Sequence, residues 1–243
     1  MNRMIEVLDH GFVRLVDHMG SDLSVVRAAR VSYDADWRSG EDGGKDARLI
    51  RYLMENNHTS PFEAVTFTFE VKAPIFVLRQ WHRHRTQSYN EMSARYTELP
   101  DEYYVPALNQ ITHQHTSNKQ MRDNVQHEHA TIIHAFMTKS NADAHSLYQA
   151  LLEQGCPREL ARTVLPTSTY SRMFTTVNLH NLLHFLKLRL HEHAQYEIRV
   201  YAEALLALVL PIVPVCISSF GVSHLQWQAV DELRALAYLT EKA

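Results

Sequence analysis

Val65-Thr66-Phe67-Thr68-Phe69-Glu70-Val71-Lys72-Ala73-Pro74 sets Val65, Phe67, Phe69 and Val71 on one side of an extended chain. Thr66, Thr68, Glu70 and Lys72 fall on the other. A period of two, rich in aromatic and β-branched residues, describes a half-buried strand. Pro74 suits the first turn of a following helix, where its missing N–H costs nothing. That helix is read as running to about His84. On it Gln80, Arg83 and His84 share a side by three- and four-residue spacing, so they can address one ligand.

Upstream, Ile5–Val16 reads as two short strands around Gly11. Ser21 or Asp22 can cap a helix over Leu23–Val31, and Asp46–Asn56 reads as another. Ser39–Gly44 between them is a polar, glycine-rich loop. Downstream, Asn118 to Gln154 reads as helical and is punctuated by Gly155 and Pro157. Ser168–Val177 reads as a strand, and Asn178 is a natural N-cap for a helix over Leu179–Leu190. A last long helix covers about Ala194–Leu210, with Leu205–Ile217 as its end and exit. Helices interleaved with a few strands predict an α+β domain of mixed α/β character. It is a single domain, residues 1–243, with a few-stranded sheet flanked by long helices and the strand order left open.

Composition narrows the function. At 243 residues the chain is long enough to bury one sizeable core. A net charge of −3 is not the basic footprint of a nucleic-acid binder, so anionic ligands must be caught by local arginines. Two cysteines, Cys156 and Cys216, are too few for a disulfide framework and fit a reducing compartment. Met1–Asp9 alternates charged and apolar residues, unlike a secretory leader. Leu205–Ile217 is too short to span a bilayer and carries Pro211 and Pro214. The expectation is a cytoplasmic protein that engages neither membrane nor nucleic acid.

Residues 79–96, Arg79-Gln80-Trp81-His82-Arg83-His84-Arg85-Thr86-Gln87-Ser88-Tyr89-Asn90-Glu91-Met92-Ser93-Ala94-Arg95-Tyr96, carry the chemistry. No apolar period follows Trp81, so packing does not account for them. Guanidiniums beside hydroxyls and amides suit a phosphorylated, planar, polar ligand, since arginine grips phosphate bidentately and stacks on rings. A solvated basic face is the competing reading. The apolar strand leading in, and the mixture of donors with acceptors, weigh against it.

The same stretch resembles the signature of the flavin-dependent thymidylate synthases: Arg83-His84-Arg85, seven residues, then Ser93, extended through Ser88, Asn90, Glu91, Arg95 and Tyr96. The likeness covers most of residues 28–200. It includes Ala28-Ala29-Arg30-Val31-Ser32, His58-Thr59-Ser60-Pro61-Phe62-Glu63, Ala161–Pro166, Asn178–Arg189 and Ala194–Ile198. The resemblance implies methyl transfer from methylene-tetrahydrofolate to dUMP, giving dTMP, with FAD as cofactor and NADPH as reductant. It also implies a homotetramer with active sites shared between chains.

Carried over residue by residue, the resemblance gives flavin contacts to Ser60, Arg83, His84, Arg85 and Glu91, with His58 close to the ring. Asn178, His180 and His184 match the start of a flavin-binding helix. Gln80, Arg83, Glu91, Ser93, Arg95 and Arg162 match nucleotide-binding positions. Arg189 matches the arginine that promotes ionisation of the uracil N3 and is the catalytic candidate. Arginine cannot be a general base, its pKa exceeding 12. It can hold the anion, and fixed positive charge where negative charge develops is the strongest lever of such a site. His180 departs from the pattern, standing where many members carry arginine, which puts FAD affinity in question.

Three rival readings compete. Sixteen histidines, with His-x-His pairs at 82/84, 113/115, 127/129 and 191/193, suggest a metal-dependent hydrolase. Such pairs share a face on strands and not on helices. The last two pairs are read as helical, and His113/His115 as a polar loop with no carboxylate nearby, so no metal site is expected. A cysteine-nucleophile synthase would need an activated thiol. Cys216 sits among Ile212, Val213, Ile217 and Phe220, and a thiolate needs positive surroundings. Cys156 is read as a helix-end residue. The third rival, a non-catalytic flavin or nucleotide sensor, has no need for Arg189 and Ser93.

Overall fold

The computed structural model describes residues 4–35, 38–40 and 44–225. Strand β1 (Met4–Val7) turns at Leu8–His10 into β2 (Gly11–Met19), which pairs antiparallel with β3 (Thr66–Pro74). β3 pairs in turn with β7 (Tyr170–Asn178), and the short β4 (Ser88–Glu91) closes the far edge. The order is β1-β2-β3-β7-β4, all antiparallel. A separate hairpin joins β5 (Thr112–Gln114) to β6 (Arg122–Gln126).

The register follows from the alternation of β3. Val13, Val71 and Met173 stand abreast, as do Leu15, Phe69 and Thr175, and all six are buried. On that face pack α1 (Asp22–Arg30), α2 (Lys45–Glu55), α6 (Leu179–Arg189), α7 (Tyr196–Val209) and α8 (Pro214–His224). Helix α7 is buried over most of its length, with Arg199 and Glu203 on its half-exposed side. Gly11 is required where Tyr201 crosses β2. The Tyr201 hydroxyl donates to the Lys72 carbonyl at 2.7 Å, and a Cβ on Gly11 would collide with that hydroxyl.

The opposite face carries charge. Glu70 is buried between Arg14, directly opposite on β2, and Arg172, whose Nε donates to it at 3.1 Å. Burial alone would raise its carboxyl. The bonds to Arg172 and Arg14 outweigh that and hold it below the usual carboxylate range.

Several expectations change. The helix after Pro74 is short: α3 spans Ile75–Trp81, so Arg83 and His84 lie on the turn beyond it. Asn118–His129 is not helical; it holds β6 and a turn, and α4 runs Ala130–Glu153, ending before Gly155 at φ 79°. The polar alternation around β5 and β6 hides a hairpin without a buried face of its own. His127/His129 and His191/His193 accordingly precede α4 and α7 rather than lying in helices. Pro214 opens a further helix, α8, within the Leu205–Ile217 stretch read as the end and exit of the preceding helix, because proline tolerates a first helical turn. Asp22 belongs to α1, and its carboxylate accepts from the backbone N–H groups of Val215 at 2.9 Å and Cys216 at 3.0 Å, capping α8 from outside. Residues 41–43 of the Ser39–Gly44 loop lie outside the described residues. Among the described residues no helix is long and apolar enough to cross a membrane.

Candidate active site

The Arg-His-Arg run sits on a tight turn whose anchors come from its own sequence. His84 N–H donates to the Trp81 carbonyl at 2.9 Å, and the Tyr89 hydroxyl donates to the carbonyls of Trp81 and His84 at 3.1 and 2.7 Å. Buried Gln87 accepts from Trp81 Nε1 at 3.2 Å and from Thr175 Oγ1 at 3.0 Å, tying the turn to β7. His84 therefore points inward, its ring 4.6 Å from Phe185, while Arg83 and Arg85 are exposed. Neither arginine makes an ion pair among the described residues.

Helix α6 faces this turn. Its start is set by Asn178, whose Oδ1 accepts from Asn181 N–H at 2.9 Å. Its last residue is Arg189, whose Nε donates to His84 Nε2 at 3.0 Å and whose Nη2 donates to the Gln80 carbonyl at 3.2 Å. Burial, then the Arg189 and His184 charges, push the His84 imidazole down to about 4. His84 is thus neutral at neutral pH and its Nε2 is an acceptor. Burial also lowers the Arg189 guanidinium, which nevertheless stays charged.

A cleft of about 520 Å³ opens between turn and helix, lined by Arg83, Arg85, His180, His184 and Arg189 among others. A second cavity of about 160 Å³ lies on the other side of His180 and His184 and includes His58, Lys187 and His224. Two unpaired guanidiniums beside two imidazoles supply the charge and planar stacking surface that a flavin dinucleotide needs. The residues present fit such a group. Asn178 is engaged as a helix cap, and Ser60 is exposed on the 3-10 turn Ser60–Ala64.

The remaining candidates lie elsewhere on the chain. Glu91 is on edge strand β4 and accepts from Ser171 Oγ at 2.7 Å. Ser93 and Arg95 follow it, with Arg95 3.7 Å from Glu159, and exposed Arg162 comes just after α5 (Arg158–Ala161). None of these four lines either cavity.

A supporting network was missed in the sequence. Gln80 Nε2 donates to Gln195 Oε1, and Gln195 Nε2 donates to Glu197 Oε2 at 2.8 Å. Buried Glu197 also accepts from Tyr104 at 2.9 Å and Arg122 at 2.7 Å. Its only trace in sequence is the Gln195-Tyr196-Glu197 spacing before an apolar helix, which carries no role by itself. Cys216 is fully buried at the start of α8, where desolvation and Asp22 raise its thiol well above the usual range. Such a thiol stays protonated and buried, the opposite of the positive surroundings that activate a thiolate.

The sequence profile of the family described as "Thymidylate synthase complementing protein" matches residues 14–215. The chain is 46% identical over 222 residues to the flavin-dependent thymidylate synthase of Treponema denticola, covering 90% of this chain and 82% of that protein. It is 47% identical over 234 residues to the enzyme of the same description from Thermus thermophilus, covering 96% and 84%. Among solved structures it is similar to the UMP/dUMP methylase PolB from Streptomyces cacaoi bound with 5-Br dUMP. There the TM-score is 0.83 at 39% identity, over 90% of this chain and 98% of that one.

Proposed function

This chain belongs to the thymidylate synthase complementing protein family, the flavin-dependent thymidylate synthases, and on that premise we propose how its residues carry the reaction. The reaction itself is flavin-dependent methylation of dUMP to dTMP. In our reading the flavin is FAD, the carbon donor is methylene-tetrahydrofolate and the reductant is NADPH. The whole chain, 1–243, acts as one catalytic domain.

When bound, FAD would supply the redox chemistry, and the protein would bind and orient it. Arg83 and Arg85 would hold its phosphates, with His84, His180 and His184 along the same cleft and His58, Ser60 and Asn178 near it, while Glu91, which lines neither cavity of its own chain, would reach a flavin only from a neighbouring chain. Arg189 is the catalytic residue. Two of its nitrogens are held by His84 and Gln80, and among the described residues Nη1 makes no hydrogen bond. That free edge can grip a uracil N3 anion, making C5 electron-rich enough to be alkylated. The hydrogen bond from Arg189 to neutral His84 is the observation that carries this reading.

Gln80, Ser93, Arg95 and Arg162 bind the nucleotide in this scheme, yet three of the four stand away from the cleft. A homotetramer with shared sites resolves that, a neighbouring chain bringing its own Ser93, Arg95 and Arg162. Helix α4 favours assembly: Ile132, Phe136, Met137 and Leu147 are exposed along it, and few of its residues are buried. The visible spectrum of purified protein, with and without dUMP, tests the reading. A yellow tetramer that releases FAD on denaturation and changes spectrum with dUMP is expected. Including UMP in the same titration matters because PolB is described as a methylase of both nucleotides. A colourless protein that binds no added FAD would end it.

A further inference from the structure

We propose that His113, His127 and Glu128 form a binding site for one divalent transition ion of the zinc class, clipping the β5–β6 hairpin to the start of α4. The hairpin creates the site. Thr112 pairs with Gln126, and His127 N–H donates to the Ile111 carbonyl at 2.9 Å, so His127 lies opposite Ile111. His113, two residues on from Ile111, then projects to the same face as a diagonal neighbour of His127. Their rings stack at 4.4 Å between centroids. Glu128 follows His127 in the turn before α4 and supplies the carboxylate that the linear sequence places fifteen residues from His113.

The distances suit a small ion. Glu128 Oε2 lies 3.0 Å from His113 Nε2 and 3.6 Å from His127 Nδ1, and all three donor atoms fall within 4.8 Å of one another. Ligands about 2.0–2.2 Å from a tetrahedral ion stand roughly 3.3–3.6 Å apart. Both carboxylate distances bracket that spacing. The two imidazoles, stacked at 21°, must rotate so that both in-plane lone pairs meet the ion, and their partial exposure leaves the rotamer freedom to do so. His127 Nδ1 accepts from His129 N–H at 3.0 Å, and the ion takes over that lone pair. Two imidazoles with one carboxylate select a borderline cation over calcium or magnesium. Glu128 is well exposed, so water completes the coordination.

None of the three residues lines the Arg189 cleft or the neighbouring cavity. The ion is therefore structural, tying down a hairpin that has little core of its own.

The test uses full-length, flavin-loaded protein stripped with a strong chelator and titrated with Zn²⁺ alone by calorimetry, then with Co²⁺ by visible absorption. One ion per chain is expected, with the d–d bands of low-coordinate Co²⁺. Loss of a second-shell partner typically weakens a metal by about 10–100-fold, so His113→Ala, His127→Ala and Glu128→Gln should each lose at least that. Zn²⁺ should raise the melting temperature of the parent and not of the variants, while methyl transfer is unchanged throughout. Absence of saturable binding overturns the proposal. So does binding that survives the loss of His113 or Glu128, which would assign it to other histidines. Turnover abolished by the chelator and restored by Zn²⁺ would overturn the structural role.

Discussion

Arg189 Nε donates to His84 Nε2 across 3.0 Å, joining the end of α6 to the turn after α3. The bond requires a neutral imidazole, and burial against Phe185 beside two cationic or polar neighbours keeps it neutral. The residue in the middle of the arginine signature thus acts as a clamp on the arginine at the other end of the site.

Arg189→Lys keeps the charge and loses the fork, since an ammonium cannot hold His84, Gln80 and a pyrimidine edge in one plane. Turnover should fall by about a hundred- to thousand-fold, the usual effect of removing one positioned donor, with dUMP binding weakened and flavin retained. Arg85→Ala should do the reverse and strip flavin first. Single-turnover oxidation of reduced enzyme with dUMP and methylene-tetrahydrofolate, measured beside flavin content, separates the two. Wild-type turnover in Arg189→Lys would remove Arg189 from the mechanism.

His84 sets a pH dependence. Unfolded, it takes a proton near its ordinary value of 6.5; folded, not until about 4. Between those values the unfolded chain binds more protons, so stability falls as pH drops from 6.5 to 4, and the loss is complete below 4. His84→Gln keeps an acceptor for Arg189 without titrating. Its denaturant midpoint should decline less than the parent's over pH 7 to 4. Parallel curves would place the linkage on other groups.

Gln195 should tune nucleotide binding through Gln80. Removing one such hydrogen bond is worth about 0.5–1.5 kcal/mol, so Gln195→Ala should raise the KM for dUMP roughly 2- to 12-fold and leave flavin content intact. Gln195→Glu, which sets a second carboxylate against Glu197, should be worse. An unchanged KM in both variants would sever Gln195 from substrate binding.

The cysteines should be dispensable for chemistry. Cys156→Ala with Cys216→Ala should retain methyl transfer, while Asp22→Ala should destabilise the fold by about 0.5–2 kcal/mol, the range for a lost helix cap. Thermal unfolding and turnover measured on the same samples distinguish these effects. Activity lost in Cys216→Ala with folding and flavin preserved would point to a thiol nucleophile.

Local order is what the sequence determined. The alternation of 65–74 specified β3 and its buried face, because a period of two admits one register against a core. Asn178 marked the start of α6 because its side chain bonds within its own turn. The motif at 83–96 identified the family and held six of the fourteen candidate residues, the rest coming from the wider resemblance. Tertiary structure alone decided what those residues meet. Arg83 and His84 left the helix because Tyr89 and Gln87 pull the chain into a turn there. His84 met Arg189, 105 positions away, only through the packing of α6. The β5–β6 hairpin escaped notice because it has no buried face to impose a period, and with it went the approach of Glu128 to His113. Bonds between residues close in sequence leave a periodic trace in composition. Contacts between distant residues leave none, since they depend on how the core brings whole elements together.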